Sequence, residues 1–400
     1  MRGEDRLSNL PLSVIETILC LVPIQEAGRT SILSKEWRYR WTKIPKLLFE
    51  EKTFQLSTVD GAESSILEQK HLEPNERKKM DTKSKLIYVV GQVLLMHDGP
   101  IHEFTLSFLI SNQRVKIDHI LTHLSRKTSI KKLKLDFAYA GYMLPSSIFS
   151  FHQLTDLCLI GCRFDHQPTI YGFGSLITSL NLRDVSISAS TLRQILSSCP
   201  LLKTVFMNIP GSYISRSNGS LTFTELFELF ECLPVIETLY LSLDLIDVFE
   251  DRVEGRVPKE LPTPLFHLKY LSICYVFFTH KEELILALLI NSSPNLEKLE
   301  VGIFDDGLVY ESSMESSSRV NCYPGIMLEH LNELEINDFV NHKTRLDFVK
   351  LILARSPVLK TVRIFPHCNY RDKTLQISEI LSGYSRASPE VQIIVEDPWS

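Results

Sequence analysis

Three short stretches of this 400-residue sequence hold residue types that catalysis or ligand binding uses. His367-Cys368 pairs a base with a nucleophile, but we expect sequence neighbours not to face each other, and no third member is evident. The stretch Asp305–Gly307 offers two carboxylates, yet the other ligands of a calcium loop are absent, so we interpret it as a turn. The stretch Gly172–Gly174 begins like a dinucleotide loop but lacks the third glycine and the strand–helix context.

The motifs of zinc proteases, serine hydrolases and phosphate-binding loops do not occur. We therefore expect no catalytic residue, no cofactor and no metal, and we interpret the chain as a non-enzyme. The alternative is an enzyme with an unfamiliar site on the concave face of the repeats described below. The eight cysteines are scattered without paired CxxC spacing, and the N-terminus does not resemble a signal peptide. We expect reduced thiols in the cytoplasm or nucleus.

Composition restricts the classes of partner. Apolar residues make up 44% of the chain, enough for a large core, and the formal net charge is −5. This balance gives no overall basic field for nucleic acid. The basic run Ile130–Lys134 alternates with leucines, which places its lysines on an outward strand face. No apolar run reaches the length of a membrane span, so we expect neither nucleic acid nor membrane as a partner.

A pattern of the form apolar-x-x-apolar-x-apolar recurs from residue 101 onward. The last two apolar positions of each copy point to one face of a short strand. One copy cannot bury that face alone, whereas stacked copies bury it against each other with their strands parallel and in register. The spacing between copies is typical of repeat proteins. The copies start at Ile101, Ile130, Leu154, Ile177, Leu202, Ile236, Leu268, Leu296, Leu331 and Leu359.

Helices are predicted between these strands, and four of them end in the same way. In each of the four, a proline stands two residues before the first template position. These prolines are Pro200, Pro234, Pro294 and Pro357. Because proline cannot continue a helix, it fixes the switch from helix to strand at one register. The clearest helical stretches are about 83–97, 116–127, 188–199, 222–233, 281–292, 345–355 and 374–384.

The repeated pattern resembles an irregular leucine-rich-repeat array over about residues 101–365. Cys162 is interpreted as a small buried residue at a repeat corner. Insertions at about 209–221, 246–264 and 305–325 are either recognition loops or surface decoration. Near the C-terminus, Ser356–Val362 followed by Val391–Val395 resembles the FBD module of plant F-box/leucine-rich-repeat proteins. Physically, we interpret it as a capping unit for the last repeat.

The N-terminal stretch, residues 5–49, is both short and apolar. Ile15, Ile18 and Leu19 recur at helical spacing, with Pro11 suited to the first turn and Pro23 to the end. Ser13 and Glu16 have the spacing of a capping box. A second helical stretch starts near Gln25, and Ser34 can cap a third that carries Trp37 and Trp41. Such short helices bury too little surface to stand alone, so they pack on the rest of the chain or on another protein.

This stretch resembles an F-box, through Leu10-Pro11, the apolar stripe, Leu21–Pro23, Leu33–Lys35 and the two tryptophans. The resemblance implies docking to a Skp-type adaptor, which links the chain to a cullin-based ubiquitin ligase, while the rest of the chain selects a protein substrate. The residues expected at the adaptor interface, some of which must instead fill the helical core, are Leu10, Pro11, Ile15, Ile18, Leu19, Ile32, Leu33, Trp37 and Trp41.

The combined interpretation is an α/β fold, in which a three-helix F-box precedes an irregular leucine-rich-repeat solenoid with an FBD-like C-terminal cap. The expected parts are the F-box at 5–49, a charged linker and helix at 50–100, repeats at 101–340, and the last repeat with the FBD-like module at 341–400. The expected function is substrate recognition in a ubiquitin ligase. The alternative is a repeat scaffold that binds its ligand outside any ligase, with the N-terminal helices as a cap.

Overall fold

A computed structural model describes most of the chain. It divides into two units that we treat separately: residues 1–177 with 184–186, and residues 178–183 with 187–400. The residues that the structure describes are 10–51, 74–109, 114–127, 129–137, 141–164, 172–208, 223–242, 260–276, 280–304, 327–368 and 374–396.

The first unit begins with short helical segments. Helix α1 spans Leu12–Leu21 and α2 spans Ile24–Arg29, followed by 3₁₀ turns at Thr30–Ile32 and Trp37–Lys43. Pro11 precedes α1 and Pro23 precedes α2, where a missing N–H removes no helical hydrogen bond. The predicted third helix is therefore present as 3₁₀ structure.

The two predicted caps of these segments have different outcomes. The backbone N–H of Trp37 donates to Oγ of Ser34 at 3.3 Å, as predicted. The predicted capping box of Ser13 and Glu16 is wrong, because α1 starts at Leu12 and so places Ser13 inside the first turn. Pro11 occupies the cap position, and no side chain caps the helix there.

A parallel sheet starts inside the N-terminal stretch itself. Strand β1, Lys46–Glu50, pairs in register with β2, Glu103–Ser107, although the sequence interpretation had no strand before residue 101. The signal was present, because Ile44, Leu47 and Phe49 follow the same apolar template, and all three are fully buried. Strand β2 pairs in parallel with β3, Lys132–Asp136, and β3 pairs in parallel with β5, Asp156–Ile160.

The remaining elements of the first unit flank this sheet. Helix α3 spans Pro74–Met96, starting before the predicted 83, and α4 spans Arg114–Ser125. Two short strands, β4 at Tyr142–Met143 and β6 at Cys162–Arg163, pair with each other, with a 3₁₀ turn at Ser146–Ser150 between them. Cys162 is buried at this corner, as predicted, and burial raises the pKa of its thiol.

The second unit repeats a strand–helix alternation. Neighbouring strands pair in parallel from β7 to β14. The strands are β7 Ser179–Arg183, β8 Thr204–Asn208, β9 Thr238–Ser242, β10 Tyr270–Val276, β11 Lys298–Ile303, β12 Glu333–Phe339, β13 Thr361–Pro366 and β14 Gln392–Val395. The helices are α5 Ala189–Ser197, α6 Phe223–Glu231, α7 His280–Asn291, α8 Lys343–Arg355 and α9 Thr374–Ser382.

The four template prolines perform the predicted switch through one kind of turn. In each copy the carbonyl before the proline accepts a hydrogen bond from the N–H three residues later. The four donor–acceptor pairs are Leu202 to Cys199, Ile236 to Leu233, Leu296 to Ser293 and Leu359 to Ser356, at 3.2 to 3.4 Å. Proline is favoured at the second position of such turns because its φ is already set.

The core lies on the helix side of the strands. In each strand the two template residues are buried, as Leu239 and Leu241 of β9 show, while the alternate residues face away from the helices. The predicted insertions lie almost wholly outside the described residues. At the C-terminus, β14 continues the parallel pairing of β13, so this strand of the FBD-like segment extends the sheet. The predicted mixed α/β fold with stacked parallel strands is confirmed.

Candidate functional site

Helix α1 has two apolar faces. Ile15 and Leu19, one turn apart, are 1% and 2% exposed and pack into the unit. Leu12, Ile18 and Leu21 lie on other sides of the same helix and are 54%, 39% and 81% exposed. A helix that packs on its own chain with one face needs polar residues elsewhere. The second apolar face of α1 therefore indicates a surface for another molecule.

More exposed apolar side chains follow in the next segments. Ile32 in the 3₁₀ turn is 86% exposed and its neighbour Leu33 is 61% exposed. Large apolar groups concentrated in one small segment indicate an interaction site, whereas scattered ones do not. We call the exposed set the N-terminal apolar surface, which comprises Leu12, Val14, Ile18, Leu21, Val22, Ile32 and Leu33.

The two tryptophans lie in the core below this surface. Trp37 is 5% exposed and Trp41 is 8% exposed. The guanidinium of Arg40 lies 4.9 Å from the centroid of the Trp37 ring and 3.5 Å from the carboxylate of Glu36. The large rings of the two tryptophans supply the apolar area that such short segments otherwise lack.

The structure thus divides the nine residues named from the sequence. Pro11, Ile18, Ile32 and Leu33 are exposed, and Leu10 is half-buried. Ile15, Leu19, Trp37 and Trp41 are buried within the chain. The residues named from the sequence did not include Leu12, Val14, Leu21 and Val22, which are exposed as well. The wide apolar stripe contained their signal, but periodicity alone does not tell which side of a two-sided helix faces inward.

The end of the N-terminal stretch is anchored to the residues after α3. Nε2 of His97 lies 2.8 Å from the carbonyl oxygen of Ile44, and the N–H groups of Asp98 and Gly99 donate to the carbonyl of Thr42 at 2.9 and 3.3 Å. His97 is buried, and desolvation lowers the pKa of its imidazole, although the bond to Ile44 acts in the opposite direction. This contact holds the apolar surface in a fixed position on the first unit.

The stretches that suggested chemistry form no reaction site in the described residues. Sγ of Cys368 lies 3.7 Å from each ring nitrogen of His367, so the expectation that these neighbours do not approach is wrong. The pair follows the end of β13, where the chain leaves the extended conformation that separates neighbouring side chains. Gly172 and Gly174 have positive φ values of 74° and 86°, in a turn that buries Phe173. Asp305–Gly307 lies outside the described residues.

A groove of about 400 Å³ in the second unit contains further titratable groups, including Glu237, Glu297, His267 and His330. Its carboxylates are paired: Nζ of Lys203 lies 2.8 Å from Glu237, and Nζ of Lys269 lies 3.0 Å from Glu297. Hydrogen bonding to Lys203 lowers the pKa of the Glu237 carboxyl. Within the described ranges, no group of three or more His, Cys, Asp or Glu is placed to hold a metal ion. No described helix has both the length and the apolar character needed to cross a membrane.

Comparison with known families matches three parts of the chain. The F-box domain model matches residues 7–49, which include α1, α2, both 3₁₀ turns and most of β1. The model for the leucine-rich repeats of FBD-associated F-box protein At5g56370 matches residues 117–224. The model for the leucine-rich-repeat domain of At1g61320/AtMIF1 matches residues 212–387. The chain contains an F-box domain and leucine-rich repeats.

Relatives that match this chain over nearly their whole length are named as F-box proteins. F-box/FBD/LRR-repeat protein At1g13570 of Arabidopsis thaliana is 29% identical and covers 98% of this chain and 98% of its own length. FBD-associated F-box protein At4g10400 of the same plant is 24% identical over 97% of this chain and 99% of its own length. Among solved structures, the leucine-rich repeat-containing protein LegL7 of Legionella pneumophila matches with a TM-score of 0.40 and 16% identity. The match covers 77% of this chain and 87% of LegL7.

The F-box match places the N-terminal apolar surface in a known domain type. Every residue of that surface lies between residues 7 and 49, the range of the F-box match. F-box domains in general bind Skp-type adaptors, and proteins of this family are in general non-catalytic receptors. The F-box and the repeats together indicate a protein-interaction adaptor.

Proposed function

We propose that this F-box protein is the substrate-recognition subunit of an SCF-type ubiquitin ligase, acting in the cytoplasm or nucleus. In this proposal the F-box binds a Skp-type adaptor and, through it, a cullin. The repeats bind the protein to be ubiquitinated, and the chain itself contributes no catalytic residue. The FBD-like segment closes the last repeat.

The observation that supports this proposal best is the second apolar face of α1, together with Ile32 and Leu33. These side chains are exposed although the same segment buries Ile15 and Leu19 in its own core. Burying a leucine or isoleucine side chain is favourable by about 1.5–3 kcal/mol, so a partner that covers several of them gains considerable binding energy. In most interfaces a few residues in the fully desolvated centre carry most of the binding energy.

The test is capture of a purified Skp-type adaptor by the full chain and its variants. Ile32→Asp and Leu33→Asp are expected to abolish capture, because each places a charge in an apolar interface. Leu10→Ala with Pro11→Ala should weaken it by removing two residues beside α1. The matched control is Leu375→Asp, because Leu375 in α9 is 79% exposed and lies outside the F-box. Undiminished capture by the first two variants would contradict the proposal and favour a repeat scaffold outside any ligase.

A further inference from the structure

Three neighbouring strands of the second unit carry aromatic rings on the side away from the helices. Phe206, Tyr240 and Tyr270 lie on β8, β9 and β10, and we call them the aromatic row. The ring centroids of Phe206 and Tyr240 are 5.2 Å apart with stacked planes, and those of Tyr240 and Tyr270 are 5.1 Å apart, edge to face. All three side chains are partly exposed, whereas the template residues of the same strands are buried in the core.

Each end of the aromatic row already holds a cation. The guanidinium carbon of Arg183 on β7 lies 4.1 Å from the centroid of Phe206. Nζ of Lys298 on β11 lies 5.4 Å from the centroid of Tyr270. Both distances are within the range of favourable cation–π contacts. The chain's own Arg183 and Lys298 thus already occupy the cation positions at both ends of the row.

Next to the row lies a patch with more carboxylates than cations. Nζ of Lys298 lies 3.4 Å from Glu333 and 3.3 Å from Glu335. The Tyr270 hydroxyl donates to Glu300, which also accepts a hydrogen bond from Nδ2 of Asn337 at 3.1 Å. Arg363 lies opposite Glu335 on the following strand. The three carboxylates, of Glu300, Glu333 and Glu335, outnumber the two cations Lys298 and Arg363, which leaves one negative charge in excess.

Two carboxylates of this patch stand directly opposite each other. Glu300 of β11 and Glu335 of β12 are register partners in the parallel ladder. Like charges at such positions destabilise a sheet unless a cation joins them. A carboxylate has roughly four acceptor positions, so both groups can accept further hydrogen bonds from a bound cation.

A buried hydroxyl lies on the same strand face. Ser242 follows Tyr240 by two residues on β9, which places both side chains on one side of the strand. Its side chain is buried, and among the described residues its Oγ has no hydrogen-bond partner. An unsatisfied buried polar group destabilises the fold unless a local rearrangement gives it a partner.

We propose that this face binds an extended basic segment of the recruited protein. Apolar side chains of the segment pack on the aromatic row, and an arginine or lysine is held between Glu300 and Glu335. Rings provide large contact area at a low entropic cost, and hydrogen bonds between charged groups are the stronger kind. An acidic segment is repelled by the same carboxylates. This inference rests on the proposed function, because it states the chemistry of the protein that the repeats recruit.

The experiment measures fluorescence anisotropy of two labelled peptides with the full chain, in the presence of a purified Skp-type adaptor. The peptides share length and apolar residues, and one has arginine where the other has glutamate. We expect the basic peptide to bind and the acidic peptide not to bind. Raising the salt concentration should weaken binding, because ions screen charge pairs at the surface.

Two double variants with the same change in net charge locate the contact. Glu300→Gln with Glu335→Gln should weaken the affinity for the basic peptide by about tenfold or more, since charged pairs at interfaces contribute on this scale. The matched control is Glu237→Gln with Glu297→Gln in the groove described above, for which we expect a change within about twofold. Tyr240→Leu keeps an apolar side chain but removes the ring, and should also weaken binding.

Three outcomes would overturn the inference: equal loss in both double variants, equal or tighter binding of the acidic peptide, or no binding of either peptide to the wild-type chain. Capture of the adaptor by the same preparations reports separately on the proposed function. If the chain still captures the adaptor but binds neither peptide, the inference of a basic segment is refuted and the proposed function is not. Thermal melting of each variant checks that the fold is intact.

Discussion

Nε2 of His97 donates a hydrogen bond to the carbonyl oxygen of Ile44 across 53 residues of sequence. A carbonyl only accepts, so the proton is on Nε2 and the neutral ring has a bare Nδ1. Nδ1 is buried and has no hydrogen bond of good geometry among the described residues. Protonation would therefore bury a charge that desolvation disfavours, although the backbone of Gly99 acts in the opposite direction. The contact between the F-box and the end of α3 accordingly favours the neutral ring.

This contact predicts a pH dependence of stability. The pKa of His97 is lowered in the folded chain from its ordinary 6.5, chiefly by desolvation. The unfolded chain then binds more protons, so stability is full above about pH 6.5 and falls as pH drops toward the lower, folded value. His97→Gln keeps a donor but does not titrate. We expect the variant to lose part of the decrease in melting temperature between pH 7 and pH 5.5. Identical pH profiles would contradict the assignment.

Gly99 predicts a steric effect at the same junction. A Cβ at this position would lie 2.8 Å from both Cα and the carbonyl oxygen of Lys43, so backbone must move to admit it. Gly99→Ala should lower the free energy of unfolding by about 1–3 kcal/mol, as overpacking does. Gly91→Ala is the control, because nothing lies within 4 Å of its Cβ position in α3. That change should stabilise by about 0.5–1 kcal/mol. Chemical denaturation measures both, and equal effects would refute the clash.

Two isoleucines three residues apart in α1 should separate stability from binding. Ile15 is fully buried, and Ile15→Ala should cost about 2–5 kcal/mol of stability through a cavity in the F-box core. Ile18 is 39% exposed, so Ile18→Ala should change stability little and reduce adaptor capture. Thermal melting and adaptor capture, measured on both variants, check the assignment. A large loss of stability in Ile18→Ala would show that this residue belongs to the core.

The start of α5 provides a test of the repeat register. Oγ of Ser188 accepts a hydrogen bond from the N–H of Thr191 at 3.1 Å and caps the helix. Ser188→Ala should destabilise the chain by about 1 kcal/mol. Gln194→Ala, on the exposed face of the same helix, should change stability by less than about 0.5 kcal/mol. Urea denaturation distinguishes the two, and a reversed order would place the helix start elsewhere.

Much of the repeat architecture could be predicted because each strand needs the same two inward residues. The pair Leu239 and Leu241 identifies its strand without knowledge of its neighbours, and the template prolines add the turn before it. Strand β1 was missed because its template, from Ile44 to Phe49, lies inside a stretch interpreted as an F-box. Pairing with β2, 57 positions later in the register, is a tertiary property.

The adaptor surface expected from the sequence could be predicted only as a set of apolar residues. Ile15 and Ile18 have the same type and nearly the same sequence surroundings, and only the packing of α1 on its unit makes one buried and the other exposed. The aromatic row was not identified, since Phe206, Tyr240 and Tyr270 are far apart in sequence. They meet because the register aligns their strands.

Strand β1 affects how the chain can be cut. A fragment that starts after residue 49, the end of the F-box match, lacks nearly all of the strand that covers β2. It also lacks Phe49, whose ring lies 5.8 Å from that of Phe104. The freed edge would expose unpaired main-chain groups beside a bare aromatic core, a combination that promotes aggregation. A soluble repeat fragment therefore has to start no later than Ile44, so the repeats keep a piece of the F-box as their own first layer.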